Sequence, residues 1–177
     1  MNLKNMLLPV IVLVGSAAVL FGASAVLKIS ETEKRAEDRQ FVMEHLLPGC
    51  TEFTEETYEG EDANIIGVYK GTNGYVIETS VAGYVDDMTV MVGVDQEGAV
   101  TGLVVMDMAE TYGLGQGALD NVEFLSQFLG TKGTAEIGTD VDAMAGATVT
   151  SKSLAKAANS ASAYVTGADI SSSATEW

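Results

Sequence analysis

The chain changes its hydrophobic pattern three times, and each change marks a different kind of element. From Asn5 to Leu27 it carries no charge and is rich in Leu, Val, Ile and Ala. At about 1.5 Å per residue a helix of that length crosses a bilayer with some tilt, so a transmembrane anchor is expected over residues 1–29. A cleaved leader is the alternative, since Lys4 precedes the run and Ala23-Ser24-Ala25 offers small residues. The run exceeds the apolar core of an ordinary leader, which favours retention. Residues 30–47 then read as a charged amphipathic helical stalk that ends at Pro48-Gly49.

Beyond Gly49 the period shortens to that of strands. Asn64–Tyr69 and Tyr75–Val81 flank the turn signal Asn73-Gly74, and Met88–Val94 and Val100–Met106 flank Asp95-Gln96-Glu97-Gly98. Two antiparallel hairpins follow. Helical spacing returns at Leu119–Leu129, with Gly130 as a stop. It returns again at Ser151–Val165, where Leu154, Ala157, Ala158, Ala161 and Val165 share a face and Gly167 ends the helix. Strands followed by helices predict an α+β fold: an antiparallel sheet with flanking helices over residues 48–168, behind the membrane helix. Residues 169–177 read as a flexible Ser-rich tail.

Composition narrows the chemistry. One cysteine, Cys50, and one histidine, His45, cannot build a cysteine-ligated iron–sulfur cluster, a multi-histidine metal site or an internal disulfide. No nucleophile elbow accompanies His45. The net charge of −16 excludes nucleic acid as a natural partner. The acidic run Glu52, Glu55, Glu56, Glu59, Glu61 and Asp62 lacks the spacing of a calcium loop and reads as a solvated face. In the apolar run, Gly15, Ala18, Gly22 and Ala25 place small residues on one helix face, as a span packing against other membrane subunits would. Lys28, Lys34, Arg35 and Arg39 outnumber Lys4, which taken alone puts the domain in the cytoplasm.

Chemistry concentrates at Asp142-Ala143-Met144-Ala145-Gly146-Ala147-Thr148-Val149-Thr150-Ser151, directly before the last helix. Two readings stay open on the residues alone. Thr148, Thr150 or Ser151 could simply cap the helix, or its exposed N–H groups and dipole could hold a phosphate.

Gly146-Ala147-Thr148 followed by Val149-Thr150-Ser151, with Asp142 upstream, resembles the flavinylation sequence of the FMN-binding domain family. That family is shared by the Rnf complex G subunit and the C subunit of the sodium-translocating NADH:quinone reductase. Glu110-Thr111-Tyr112-Gly113-Leu114-Gly115 is similar to the family's Glu-Thr-Pro-Gly-Leu-Gly loop, with tyrosine in place of proline. The hairpin from Gly83-Tyr84 to Gly98 and the Leu47-Pro48-Gly49 after the stalk match in order. Ala145 stands where the family has serine or threonine.

The resemblance implies FMN joined through a phosphoester to Thr148 and placed there by a flavin transferase. Glu110, Thr111, Gly113, Leu114 and Gly115 would lie against the flavin, and Asp142, Gly146, Ala147, Val149, Thr150 and Ser151 would form the attachment segment. It further implies an electron relay in a ferredoxin:NAD-type ion-translocating complex, on the outer face of the cytoplasmic membrane, among other membrane and peripheral subunits. The short chain favours the Rnf G subunit over the quinone-reductase subunit or a stand-alone anchored flavoprotein. An anchored binding module without redox chemistry, or a structural subunit using 146–151 only as a helix cap, would be colourless.

Overall fold

A computed structural model describes residues 36–107 and 121–168. The apolar run Asn5–Leu27, the Glu110–Gly115 loop and the tail 169–177 lie outside the described residues. Among the described residues no helix is long and apolar enough to cross a membrane. The chain divides after Phe41, and the compact unit begins at Val42. Helix α1 covers 36–46; its last turn belongs to that unit.

Five strands follow, β1 (Thr54–Glu56), β2 (Ile65–Lys70), β3 (Gly74–Ala82), β4 (Asp87–Asp95) and β5 (Val100–Asp107). They form one antiparallel meander in the order β1-β2-β3-β4-β5. Among the described residues two helices come after the strands, α2 (Val122–Ser126) and α3 (Thr148–Thr166). This is the α+β arrangement expected from the sequence.

The period-2 pattern is buried on both faces. Ile77 and Val81 of β3, Met88, Val90, Val92 and Val94 of β4, and Leu103 of β5 join Leu154, Ala157, Ala158 and Ala161 of α3 in the main core. Val76, Tyr69 and Met91 point the other way and pack with Met43, Leu46, Leu47 and Cys50. On that second face Tyr69 donates its hydroxyl to the buried Glu78 carboxylate at 3.1 Å.

The second face closes because Gly93 lets the backbone of Leu46 come down on β4. A Cβ at Gly93 would stand 2.3 Å from the Leu46 carbonyl oxygen and 2.6 Å from Thr101 Oγ1. Thr101 in turn donates its hydroxyl to that same carbonyl, which fixes the chain where α1 ends.

Three departures from the sequence reading have physical reasons. The acidic run is not wholly a solvated face: Thr54–Glu56 pairs as an edge strand with β2. Glu56 there meets Lys70 Nζ at 3.3 Å and accepts from the Tyr164 hydroxyl at 3.4 Å. Burial, and then the charge of Glu56, hold the Tyr164 phenol above the ordinary tyrosine range. Helix α2 is shorter than Leu119–Leu129 suggests. After Ser126 the bonds tighten to three-residue turns, Gln127 N–H to Phe124 O, Phe128 N–H to Leu125 O and Leu129 N–H to Ser126 O. Gly130, at φ +79°, then leads to Val100, whose O accepts from Gly130 N–H and whose N–H donates to Thr131 O. Helix α3 starts at Thr148, three residues before the expected Ser151.

Gly93→Ala is expected to destabilise the fold by about 1–3 kcal/mol, since the added methyl meets backbone that cannot move without breaking the Thr101 bond. Urea denaturation monitored by circular dichroism measures it.

Candidate functional site

Helix α3 carries the site, and its burial is what holds the site still. Twelve of its residues from Thr150 to Ala163 are buried, polar ones included. Three of those polar side chains bind backbone on other parts of the fold. Ser153 donates to Ala82 O at the end of β3, and Ser162 donates to Gly98 O in the β4–β5 turn. Asn159 accepts from Ala135 N–H at 2.9 Å and donates to Ala135 O at 3.0 Å. The helix therefore runs antiparallel to β3, with its start at the end of the sheet where β3 finishes.

The approach to that start is a series of short turns. Val141 N–H and Asp140 N–H donate to Glu136 O, and Asp142 N–H donates to Gln127 Oε1 at 2.8 Å. Gly146 takes φ +81°, a left-handed conformation that a side chain would strain. Ala147 N–H donates to Met144 O at 3.0 Å, closing the last turn before the helix. Asn121, which caps α2 by accepting from Phe124 N–H, brings its amide within 3.9 Å of Met144 Sδ.

The N-cap position is Ala147, and no side chain caps the helix. The cap that a purely structural reading of this segment requires is thus not made. Ser151 N–H donates to Ala147 O, so the amides of Thr148, Val149 and Thr150 precede the first intrahelical bond. Donors without an acceptor in the helix and the positive end of a helix of 19 residues suit an anionic group.

The hydroxyl side chains divide sharply. Thr148 is exposed. Thr150 and Ser151 are 1% and 0% exposed, and Ala147 is buried with them. Ser151 Oγ donates to Ala147 O at 2.9 Å and accepts from Met144 N–H at 3.4 Å, so it shapes the turn without facing solvent. Asp142 and Gly146 are exposed and Val149 is half-buried. The segment read from the sequence is brought together, with its members split between presenting Thr148 and packing beneath it.

Glu110, Thr111, Gly113, Leu114 and Gly115 lie outside the described residues. The strand before them ends with Asp107 opposite Thr89, and Asn121, the cap of α2, stands beside Met144 after them. Asn121 thus borders the turn that precedes α3, and Asp107 lies on β5 opposite the first part of β4. Gln127, Asn121 and Met144 were missed in the sequence because they act across the fold, and no motif spacing links Gln127 to Asp142.

Residues 83–163, from the β3–β4 turn through most of α3, match the FMN-binding domain. The G subunit of the ion-translocating oxidoreductase complex of Methanosarcina acetivorans is 30% identical over 145 residues, covering 74% of this chain and 77% of the relative. The chain belongs to the FMN-binding domain family. The G subunit of the Na(+)-translocating ferredoxin:NAD(+) oxidoreductase complex of Acetobacterium woodii is 30% identical over 95 residues, 49% of this chain and 46% of that protein. For a family that binds FMN, the α3 start fits the phosphate end of the cofactor. It offers an exposed hydroxyl, amides without helical acceptors and a glycine in the left-handed conformation that the turn requires.

Ser151→Ala is expected to cost about 1–2 kcal/mol, because it removes the buried Ser151 hydroxyl's bond to Ala147 O and deprives Met144 N–H of its acceptor. Thr148→Ala, at an exposed position, is expected to stay within about 0.5 kcal/mol of the parent. Thermal melting of the two variants, side by side, gives the comparison.

Proposed function

We propose that this chain is a membrane-anchored electron-transfer subunit that carries FMN in phosphoester linkage to Thr148, inside an Rnf-type ion-translocating oxidoreductase complex. The observation that carries this reading is the separation of the hydroxyl groups at the α3 start: Thr148 is exposed while Thr150 and Ser151 are buried. One hydroxyl of three is available to a modifying enzyme. The named relatives are G subunits of such complexes, which supports a relay within an assembly and not a complete enzyme.

The chain's own residues would act chiefly by placement. Thr148 supplies the attachment oxygen, and a separate flavin transferase activates it with FAD as donor, since a threonine hydroxyl is a weak nucleophile without help. The amides of Thr148, Val149 and Thr150 would orient the phosphate, Gly146 makes the left-handed turn into the helix, and Ser151 holds the turn beneath. Bound FMN supplies the redox chemistry, and the protein fixes its position. Glu110 to Gly115 would pack against the ring system, as the resemblance to the family implies.

Anchoring rests on the uncharged run Asn5–Leu27, and the stripe Gly15, Ala18, Gly22 and Ala25 would pack against neighbouring membrane subunits. The domain would lie on the outer face of the cytoplasmic membrane, where a tether keeps the cofactor from being lost. Orientation by positive charge is a bias that a long domain can override.

Thr148→Ala should yield a folded, colourless chain. Mass spectrometry of the intact protein should show an FMN adduct in the parent and none in the variant. An adduct that persists in the variant would move the attachment elsewhere, Thr150 being the next hydroxyl along the segment.

Topology can be read with a thiol reagent that does not cross membranes. Cys50 is 2% exposed, with its thiol donating to Glu52 O at 3.2 Å, so the parent should remain unlabelled. Glu97 is exposed in the β4–β5 turn, and Glu97→Cys should label in intact cells. Labelling only after lysis would place the domain in the cytoplasm.

A further inference from the structure

The β3–β4 turn stands at the same end of the sheet as Thr148. Ser153 ties α3 to Ala82, the last residue of β3, and Gly83 N–H donates to Asp86 O to close the turn. Thr148 lies five residues before Ser153, roughly 7 Å further along the helix axis. The turn extends beyond Ala82 in the same direction.

Large apolar side chains are exposed here. Tyr84 is 68% and Val85 60% exposed at the tip of the turn, and Val122, next to the Asn121 that meets Met144, is 78% exposed. Single exposed apolar residues need no explanation, but three around one functional end do. Acidic side chains surround them: Asp86 in the turn, Asp87 at the start of β4, Glu123 on α2 and Asp142 before α3 are all exposed. Lys152 is the cation that α3 contributes at this end.

We infer that Tyr84, Val85 and Val122 form the contact surface for a redox partner protein whose own apolar patch is rimmed by Lys and Arg. This rests on the electron-transfer reading above and names the kind of partner that reading requires. Charge selects among occupants. An anionic lipid surface is repelled by Asp86, Asp87, Glu123 and Asp142, and a second copy of this chain, at net −16, repels itself. A basic rim is attracted, and such complementarity sets encounter rate and register while the apolar centre excludes water. The same placement puts the partner beside Thr148, where the cofactor would be held.

A photocrosslinking residue, p-benzoylphenylalanine, at position 85 of the full chain in its native membrane provides the test. Irradiation should join position 85 to a peptide of another protein that is rich in Lys and Arg. Asp86→Lys with Asp87→Lys should lower the yield on the order of tenfold, with unchanged melting. Tyr84→Ser should lower it without altering charge. Glu97→Lys, in the β4–β5 turn that Ser162 binds at the other end of α3, should leave it unchanged. Crosslinks to lipid, to a second copy of the chain or to nothing would overturn the inference, as would equal losses from Glu97→Lys. Covalent flavin measured in the same samples keeps the two claims apart. A flavin-free parent that still crosslinks overturns the proposed function, and a flavin-loaded parent that fails to crosslink overturns this surface alone.

Discussion

A helix of mostly small residues, sunk into the fold with its polar side chains bonded to loop backbone, is the constraint on which the other elements depend. Ala157, Ala158 and Ala161 are fully buried against the sheet. Their methyl groups let α3 lie close, and closeness leaves no water for Ser153, Asn159 and Ser162. Those three instead bind Ala82 at the end of β3, Ala135 in the chain before α3 and Gly98 in the β4–β5 turn. An unpaired buried polar group costs more than a bonded one contributes, so the helix position and the loop positions specify each other. The consequence for function is that the first residue of α3 is delivered to a fixed place at one end of the sheet.

The two faces of the sheet serve different needs. One carries α3 and with it the site. The other receives the end of α1, where Gly93 admits Leu46 and Thr101 binds its carbonyl. Residues 42–47 thereby become part of the compact unit, so the last turn of the charged stretch following the apolar run is packed within it. The α3 face and the α1 face of the sheet thus have separate cores.

Four strands were legible because turn chemistry and alternation agreed: Asn73-Gly74 lies at the β2–β3 turn, and Asp95 Oδ1 accepts from Glu97 and Ala99 N–H in the β4–β5 turn. Strand β1 was illegible, since three residues of an acidic run have no pattern and gain their pairing only from β2. The apolar face of α3 was visible as a period, but the burial of Ser153, Asn159 and Ser162 on its other sides was not. Side-chain bonds to distant backbone leave no local signature. At the site, Thr148 could be picked out by resemblance to a family, whereas the burial of Thr150 and Ser151 needed the fold. The early start of α3 has the same origin, because Ala147 caps it without any side-chain signal.

The central claim is that the geometry of the α3 start presents one hydroxyl, that of Thr148, for covalent attachment of a flavin. Trypsin cleaving after Lys132 and Lys152 releases a single peptide containing Thr134, Thr139, Thr148, Thr150 and Ser151. Fragmentation of that peptide from chain purified out of its native membrane should place one FMN on Thr148 and leave the other four hydroxyls unmodified. FMN on any of those four, or a peptide with no adduct from a preparation that is yellow only until denatured, would contradict the account.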